Sequence, residues 1–365
     1  MPEDKRLTDT AEPQAEQKVA ALLRVAPAPH LSEGRLTTRR MMIDVLIGLA
    51  PVVAMSIYVF QWYSVRQLGI CILSCLTAEY VFTAMRRRPA SVGDFSAAVT
   101  GAILGLSLPG TAPWFIGVIG SFVAIGIGKI IFGGLGQNIF NPAMVGRAFV
   151  MMAFARAMAA GGYAFEGSTV KAITQATPLT ALKESGKVAD LWDLFLGTTN
   201  GSLGETSAIA CIIGGLYLCI RRTASWRIPL GVILAAAIIG VLIDFVPASP
   251  GVFSHLAASR FHEAWAALAG AMTKGWTVLH HISGGAMLFG AFFIATDPVS
   301  SPLTHKGQLI FGLGIGGLVM LMRTLSAYPE GVMFSVLIMN SIVPLINRWT
   351  IPQPVGGPVP AAAKK

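Results

Sequence analysis

Four stretches of this chain carry polar side chains of types and spacings that could bind or react. In GAFFIATDPVSSP, residues 290–302, an apolar run stops after about a dozen residues at Asp297, Pro298 and Pro302. An acid there is either a charge at a membrane surface just past a helix end, or an acceptor for a polar ligand held between helices. In QNIFNPAMVGR, residues 137–147, the Asn141-Pro142 step is a natural helix start. Alternatively, Asn138 and Asn141 turn their amides into the same cavity as Asp297, with Arg147 balancing its charge. Glu79 in LTAEYVF is a second acid inside an apolar run. It is either paired and structural, or a stop for a cation on an ion path. The loop KAITQATPLTALKE, residues 171–184, offers the Thr174 and Thr177 hydroxyls, with proline following Thr177. On physics alone that loop reads as a turn.

Other polar features point away from chemistry. GLGIGG at 312–317 and GIGK at 126–129 lie inside apolar runs, without the strand–turn–helix context or Walker spacing of a nucleotide site, so close helix packing is expected. His280 and His281, with His255 and His262, fit an interfacial segment better than a metal centre. Cys71, Cys75, Cys211 and Cys219 fall within apolar segments and read as packing residues. Asp44, beside Arg39 and Arg40, is expected to form a surface ion pair.

The elements that must hold these residues belong to a membrane. The chain is 54% hydrophobic and only 12% charged, where a soluble domain carries about 25% charge. Its formal charge of +9 comes from basic clusters at the ends of apolar runs, as in membrane topology signals. The aromatic-plus-basic stripe of a nucleic-acid groove is missing, so nucleic acid is excluded as a partner and membrane lipid is expected.

About ten apolar segments follow one another, near 41–61, 66–85, 95–108, 114–132, 142–160, 205–220, 228–246, 284–296, 307–322 and 331–347. The third and eighth are too short to cross a bilayer, which takes about 20 residues. Most Lys and Arg residues fall on one side if the N-terminus is inside, including Arg39, Arg40, Arg86–Arg88, Arg221, Arg222, Arg227, Lys306 and Arg348. Both termini are therefore expected in the cytoplasm, with the loop 161–204 outside. The polar N-terminal opening lacks a secretory-signal pattern.

GAILGLSLP at 101–109 aligns with GAFFIATDP at 290–298, which places Lys129 opposite Arg323. Each half then holds five segments, an odd number, so the second half must be inverted. Paired short, proline-interrupted helices in inverted halves point to a midplane binding site. The expected organisation is a cytoplasmic arm (1–40), a first repeat (41–160), an outer loop (161–204), a second repeat (205–348) and a cytoplasmic tail (349–365). The fold class is an all-α integral membrane protein.

Four separated motifs carry a resemblance: APHLSEGRLTTRRMMIDVLIGLAP, NIFNPAMVGRAF, ITQATPL and SGGAMLFGAFFIATDPVSSP. Together they resemble the NqrB/RnfD family of membrane subunits from ion-translocating oxidoreductase complexes. The resemblance covers nearly the whole chain from about residue 25, and the short N-terminal arm favours the Rnf branch. It implies two inverted five-helix repeats like those of urea channels. It also implies FMN joined through its phosphate to a threonine in an (S/T)-G-A-T type sequence, installed by a flavin transferase. The matching residue is Thr177, preceded by Thr174 and Ala176. Gln175 stands where the family has glycine, and Lys171 where an acid is expected. Both departures bear on the efficiency of attachment, not on the acceptor.

A noncovalent riboflavin in the membrane is implied too, with Asn141 and Asp297 matching its polar contacts. Implied partners are the other Rnf subunits (A, B, C, E and G), above all G, which carries its own covalent FMN. The complex of that family, located in the bacterial inner membrane, couples electron transfer between ferredoxin and NAD to Na+ or H+ movement. Two alternatives remain at this point: an NqrB-like protein passing electrons to quinone, and a flavin-free inverted-repeat channel or transporter.

Overall fold

The computed structural model describes residues 37–87, 92–158, 177–179, 189–197, 199, 201–205, 207–245, 278–325 and 331–351. The principal helices are α1 (Thr38–Phe60), α2 (Trp62–Met85), α3 (Ser96–Ser107), α4 (Trp114–Ile125) and α5 (Pro142–Ala153), then α6 (Ala208–Ile220), α7 (Arg227–Phe245), α8 (Met287–Phe289), α9 (His305–Leu325) and α10 (Val332–Thr350). Two of them run on as single π-helical turns, α4 through Gly126–Ile130 and α8 through Gly290–Ile294. Among the described residues there is no strand, only an isolated bridge between Pro109 and Ser202. The arm 1–36, the stretch 246–277 with His255 and His262, and the tail beyond 351 lie outside the described residues.

Four helices, α1, α2, α9 and α10, are long and apolar enough to cross a membrane. Their outer faces expose large apolar side chains, among them Leu73, Tyr80, Leu321 and Leu345, as do Ile213 and Leu216 on α6. In water such a surface would aggregate, whereas against lipid it costs nothing. The chain is a helical membrane protein.

The short helices are at the centre. Every residue of α3 is buried, and so is every residue from Met287 to Ile294. At about 1.5 Å per residue, α3 spans roughly 18 Å, well short of a hydrocarbon core of about 30 Å. Proline stops each one: Pro109 follows α3 after Leu108 turns extended, and Pro298 follows Asp297 after α8. At its other end α3 is capped from outside, since Asp94 Oδ1 accepts from the Ser96 amide at 2.8 Å.

These two helices run in opposite directions. Ser96, the start of α3, and Asp297, just past α8, line one cavity. The far end of α3 meets the loop 202–204, where the Gly204 amide donates to the Leu106 carbonyl at 2.7 Å and the Leu203 amide donates to the Leu108 carbonyl. Gly204 also lies against the ring of Phe289, in the first turn of α8. Around this centre α1 packs on α6 and α5 on α10, while α2 packs on α4 and α7 on α9. A Cβ at Gly312 or Gly316 on α9 would run into the Ile228 and Val232 carbonyl oxygens of α7. The GLGIGG run is therefore a helix-packing surface, as its apolar setting suggests.

Candidate functional site

A cavity opens at the end of the bundle that carries Arg39, Arg40, Arg221 and Arg222. Its walls come from the start of α1, the start of α3, the α4–α5 turn, the α6–α7 turn and the end of α8. It brings together Asn138, Asn141 and Asp297, three of the residues singled out from sequence.

Asn141 is the helix start that one reading gave it, and it lines the cavity. Its Oδ1 caps α5 by accepting from the amides of Ala143 (3.0 Å) and Met144 (3.4 Å), and Pro142 occupies the first helical position. Its Nδ2 donates to the Ile294 carbonyl at 3.1 Å, which ties the start of α5 to the π-turn of α8. Asn138 donates to the Phe140 carbonyl at 3.1 Å, and its Oδ1 is buried with no partner among the described residues. An orphaned acceptor in a cavity wall is costly unless something donates to it. Asp297 holds its own loop, accepting from the Val299 amide and from Ser300 Oγ at 2.8 Å.

Lys129 joins this cavity from the π-turn of α4. Its side chain is 2% exposed, and Nζ lies 2.6 Å from Glu79 Oε1 on α2 and 2.5 Å from Ser96 Oγ. Glu79 is thus paired, as one of its two sequence readings had it, and the pair stands directly behind the cavity wall. The two π-turns of the described residues, Gly126–Ile130 and Gly290–Ile294, both border this cavity. π-Turns of this kind concentrate at functional sites. Nothing in the sequence marks a π-turn, and Lys129 was concealed in a glycine-patterned apolar run. The signal available was the rule that an ionisable residue within such a run is a site candidate.

Two expectations are corrected. Arg147 does not balance Asp297 in the cavity; it points to the other end of α5. There its Nη1 lies 3.3 Å from Glu205 Oε1, and Nη2 donates to Ser202 Oγ. Asp44 is not at the surface: it is 3% exposed and accepts from Tyr217, Arg221 and Thr223 of the α6–α7 region.

Thr177 occupies a second, smaller site at the end of the bundle opposite the cavity. With Pro178, Leu179, Thr199, Gly201, Glu205 and Gly285 it lines a small pocket. Leu179 is buried and packs on Gly285, whose φ of +69° suits glycine and opens the turn into α8. That turn is held by Arg323, which is fully buried and donates to the His281 and Gly284 carbonyls. Glu205 belongs to this pocket, so the Arg147–Glu205 pair underlies Thr177. Thr174, Ala176, Gln175 and Lys171 lie outside the described residues.

Sequence comparison now decides the family, since the NQR2, RnfD, RnfE family profile matches residues 24–356. The chain belongs to the NQR2, RnfD, RnfE family. Among its relatives, the D subunit of a Na(+)-translocating ferredoxin:NAD(+) oxidoreductase complex from Acetobacterium woodii is 40% identical, over 90% of this chain and 93% of that protein. The D subunit of a proton-translocating ferredoxin:NAD(+) oxidoreductase complex from Clostridium ljungdahlii is 36% identical, over 91% and 96%. The D subunit of an ion-translocating oxidoreductase complex from Actinobacillus succinogenes is 33% identical, over 92% and 98%. The family match spans the cavity and the Thr177 pocket alike, and all the principal helices.

Proposed function

We propose that this chain is the D subunit of an Rnf-type ion-translocating ferredoxin:NAD+ oxidoreductase complex, and that it carries two flavins. Support comes from the names and coverage of its relatives, and from one structural relation. The Thr177 pocket and the large cavity lie at opposite ends of α8, a helix buried at every residue. The buried helical stretch between them, Met287–Ile294, advances about 10 Å at helical rise, a span that two flavin rings would shorten. The Thr177 site would hold FMN through a phosphoester, and the cavity a noncovalent riboflavin.

The residues present suit those groups. Asn138 Oδ1 can accept from a ring N–H, while Lys129 supplies a donor to a ring nitrogen or carbonyl. Thr177 is half-buried and lines its pocket, where a separate flavin transferase would esterify the flavin phosphate to its hydroxyl. When bound, a flavin accepts and releases electrons, and the protein supplies position and electrostatics. Asn141 sets the cavity wall by joining α5 to α8, and the apolar residues Val99, Ile103 and Phe293 exclude water from it.

In this reading the basic end faces the cytoplasm, by the positive-inside rule, with both termini. Thr177 then faces outward, where the G subunit, with its own covalent FMN, would deliver electrons, and the A, B, C and E subunits complete the complex. The fold is read as two inverted five-helix repeats, α1–α5 and α6–α10. Supporting this, α1 meets α6 and α5 meets α10, like elements meeting across a two-fold axis. Lys129 and Arg323, which the sequence alignment pairs, are the two largest fully buried side chains among the described residues. The coupling ion is Na+ or H+, the two named among the relatives, and Glu79 is the acid placed to sense it.

The test is flavin fluorescence of the full chain after denaturing electrophoresis, following coexpression with a flavin transferase. A fluorescent band that Thr177→Ala abolishes is expected. A dark band in both proteins would leave a flavin-free membrane protein, whose cavity would have to serve a solute path.

A further inference from the structure

The cavity contains a cation that the flavin assignment does not itself require. Lys129 is enclosed, and its ammonium has three N–H donors. Two are used, on Glu79 Oε1 and Ser96 Oγ. The third is available at the cavity wall that Lys129 shares with Asn138. Three separate helices fix it: the π-turn of α4 supplies it, while α2 and α3 anchor it. Such a lysine cannot drift toward solvent as a surface lysine does.

We propose that Lys129 sets the charge of the reduced ring in this cavity, by donating to the N1–C2 oxygen edge and holding N1 deprotonated. This rests on the flavin reading of the cavity and adds a role that the reading leaves open. Two electrons from the upstream flavin donor and one proton enter the ring. N5 takes the proton, and the remaining negative charge stays on the N1–C2 edge, beside the ammonium. Before reduction, Glu79 is the acid paired with Lys129 among the described residues. Afterwards Lys129 serves two anions, and one negative charge has been added at membrane depth. The pair therefore converts electron arrival into a net charge that a cation entering near Glu79 would neutralise.

The other charged groups around Lys129 are few. Arg86, at the end of α2, donates to the Ile130 carbonyl at 2.6 Å. Asp94 reaches Lys129 only through Ser96. Asp297, across the cavity, is bound to its own loop. Asp44, behind Thr223, is matched by Arg221. On α5 the cavity presents Asn141, Pro142 and Ala143, which are uncharged. Among these groups Lys129 is the cation in the cavity wall.

The experiment uses the full chain in detergent, carrying Thr177→Ala so that the noncovalent flavin is the only one present, reconstituted with riboflavin. Its midpoint potential is titrated spectroelectrochemically across mildly acidic pH, with free riboflavin alongside. A two-electron couple shifts about 30 mV for a tenfold change, so uptake of one proton gives about 30 mV per pH unit and uptake of two gives about 59 mV. The bound flavin is expected to follow the shallower slope at pH values where free riboflavin follows the steeper. Lys129→Gln alone would break a buried ion pair, so the comparison is the double variant Lys129→Gln/Glu79→Gln. In it, the slope is expected to return to that of free riboflavin and the potential to fall. If the Lys129 protein binds riboflavin but shows the free-flavin slope, the proposal is overturned while the cavity remains a flavin site. If riboflavin does not survive gel filtration with the protein, the flavin reading of the cavity fails and the proposal falls with it.

Discussion

Asn141 Nδ2 and the Ile294 carbonyl, 153 positions apart, are joined by a 3.1 Å hydrogen bond. It ties the first turn of α5 to the last turn of α8, and it does so in the cavity wall. Because Oδ1 of the same side chain caps α5, two variants separate the two tasks. Asn141→Asp keeps an acceptor for the cap but has no donor for Ile294. Asn141→Ala loses both, and the cap alone contributes about 0.5–2 kcal/mol. Thermal unfolding in detergent should rank wild type above both variants, and noncovalent flavin should be lost from both. Full flavin retention in Asn141→Asp would show that the α5–α8 tie is not what shapes the cavity.

Breaking the Lys129–Glu79 pair should destabilise more than removing it. Glu79→Leu leaves a lysine buried without its counter-charge, which costs about 3–5 kcal/mol, whereas an apolar replacement of both partners is often near neutral. Glu79→Leu/Lys129→Met should therefore unfold at a higher temperature than Glu79→Leu. The reverse order would place Glu79 outside any stability role.

Arg147 provides a test of which end of the molecule it serves. Paired with Glu205 beneath Thr177, it should influence the covalent flavin and not the other. Arg147→Met is expected to lower in-gel fluorescence and to destabilise, since breaking a buried ion pair costs about 3–5 kcal/mol. Noncovalent flavin per folded chain should stay at the wild-type level. Its loss would return Arg147 to the cavity.

Gly316→Ala tests the α7–α9 contact. The added methyl meets the Val232 carbonyl oxygen, a backbone atom that cannot step aside. Overpacking of this kind costs about 1–3 kcal/mol, so thermal stability should drop, while Gly317→Ala, with far more room, should change little.

The sequence is most legible where a single residue type forces local geometry. Pro109 and Pro298 end α3 and α8, and Asn141-Pro142 starts α5. Composition alone indicates the membrane. What it conceals is pairing between distant positions. Arg147 shares one short stretch with Asn138 and Asn141 and so reads as a member of their cavity, whereas in space it meets Glu205, 58 positions away. Asp44 reads as a surface residue because Arg39 and Arg40 are close by, yet Tyr217, Arg221 and Thr223 close over it. Lys129 reads as part of a packing run because the glycines of GIGK precede it, and only its alignment with Arg323 sets it apart. The π-turn that aims it has no signature in residue type, since it differs from an α-turn by one backbone register.

The most direct test of the two-flavin account is a flavin inventory of the purified full chain. Acid precipitation separates released flavin from flavin that stays with the protein, and each fraction is identified by chromatography. One riboflavin in the supernatant and one FMN in the pellet, the latter absent from Thr177→Ala, is the predicted result. A supernatant without riboflavin, or a pellet FMN that persists in Thr177→Ala, would contradict it.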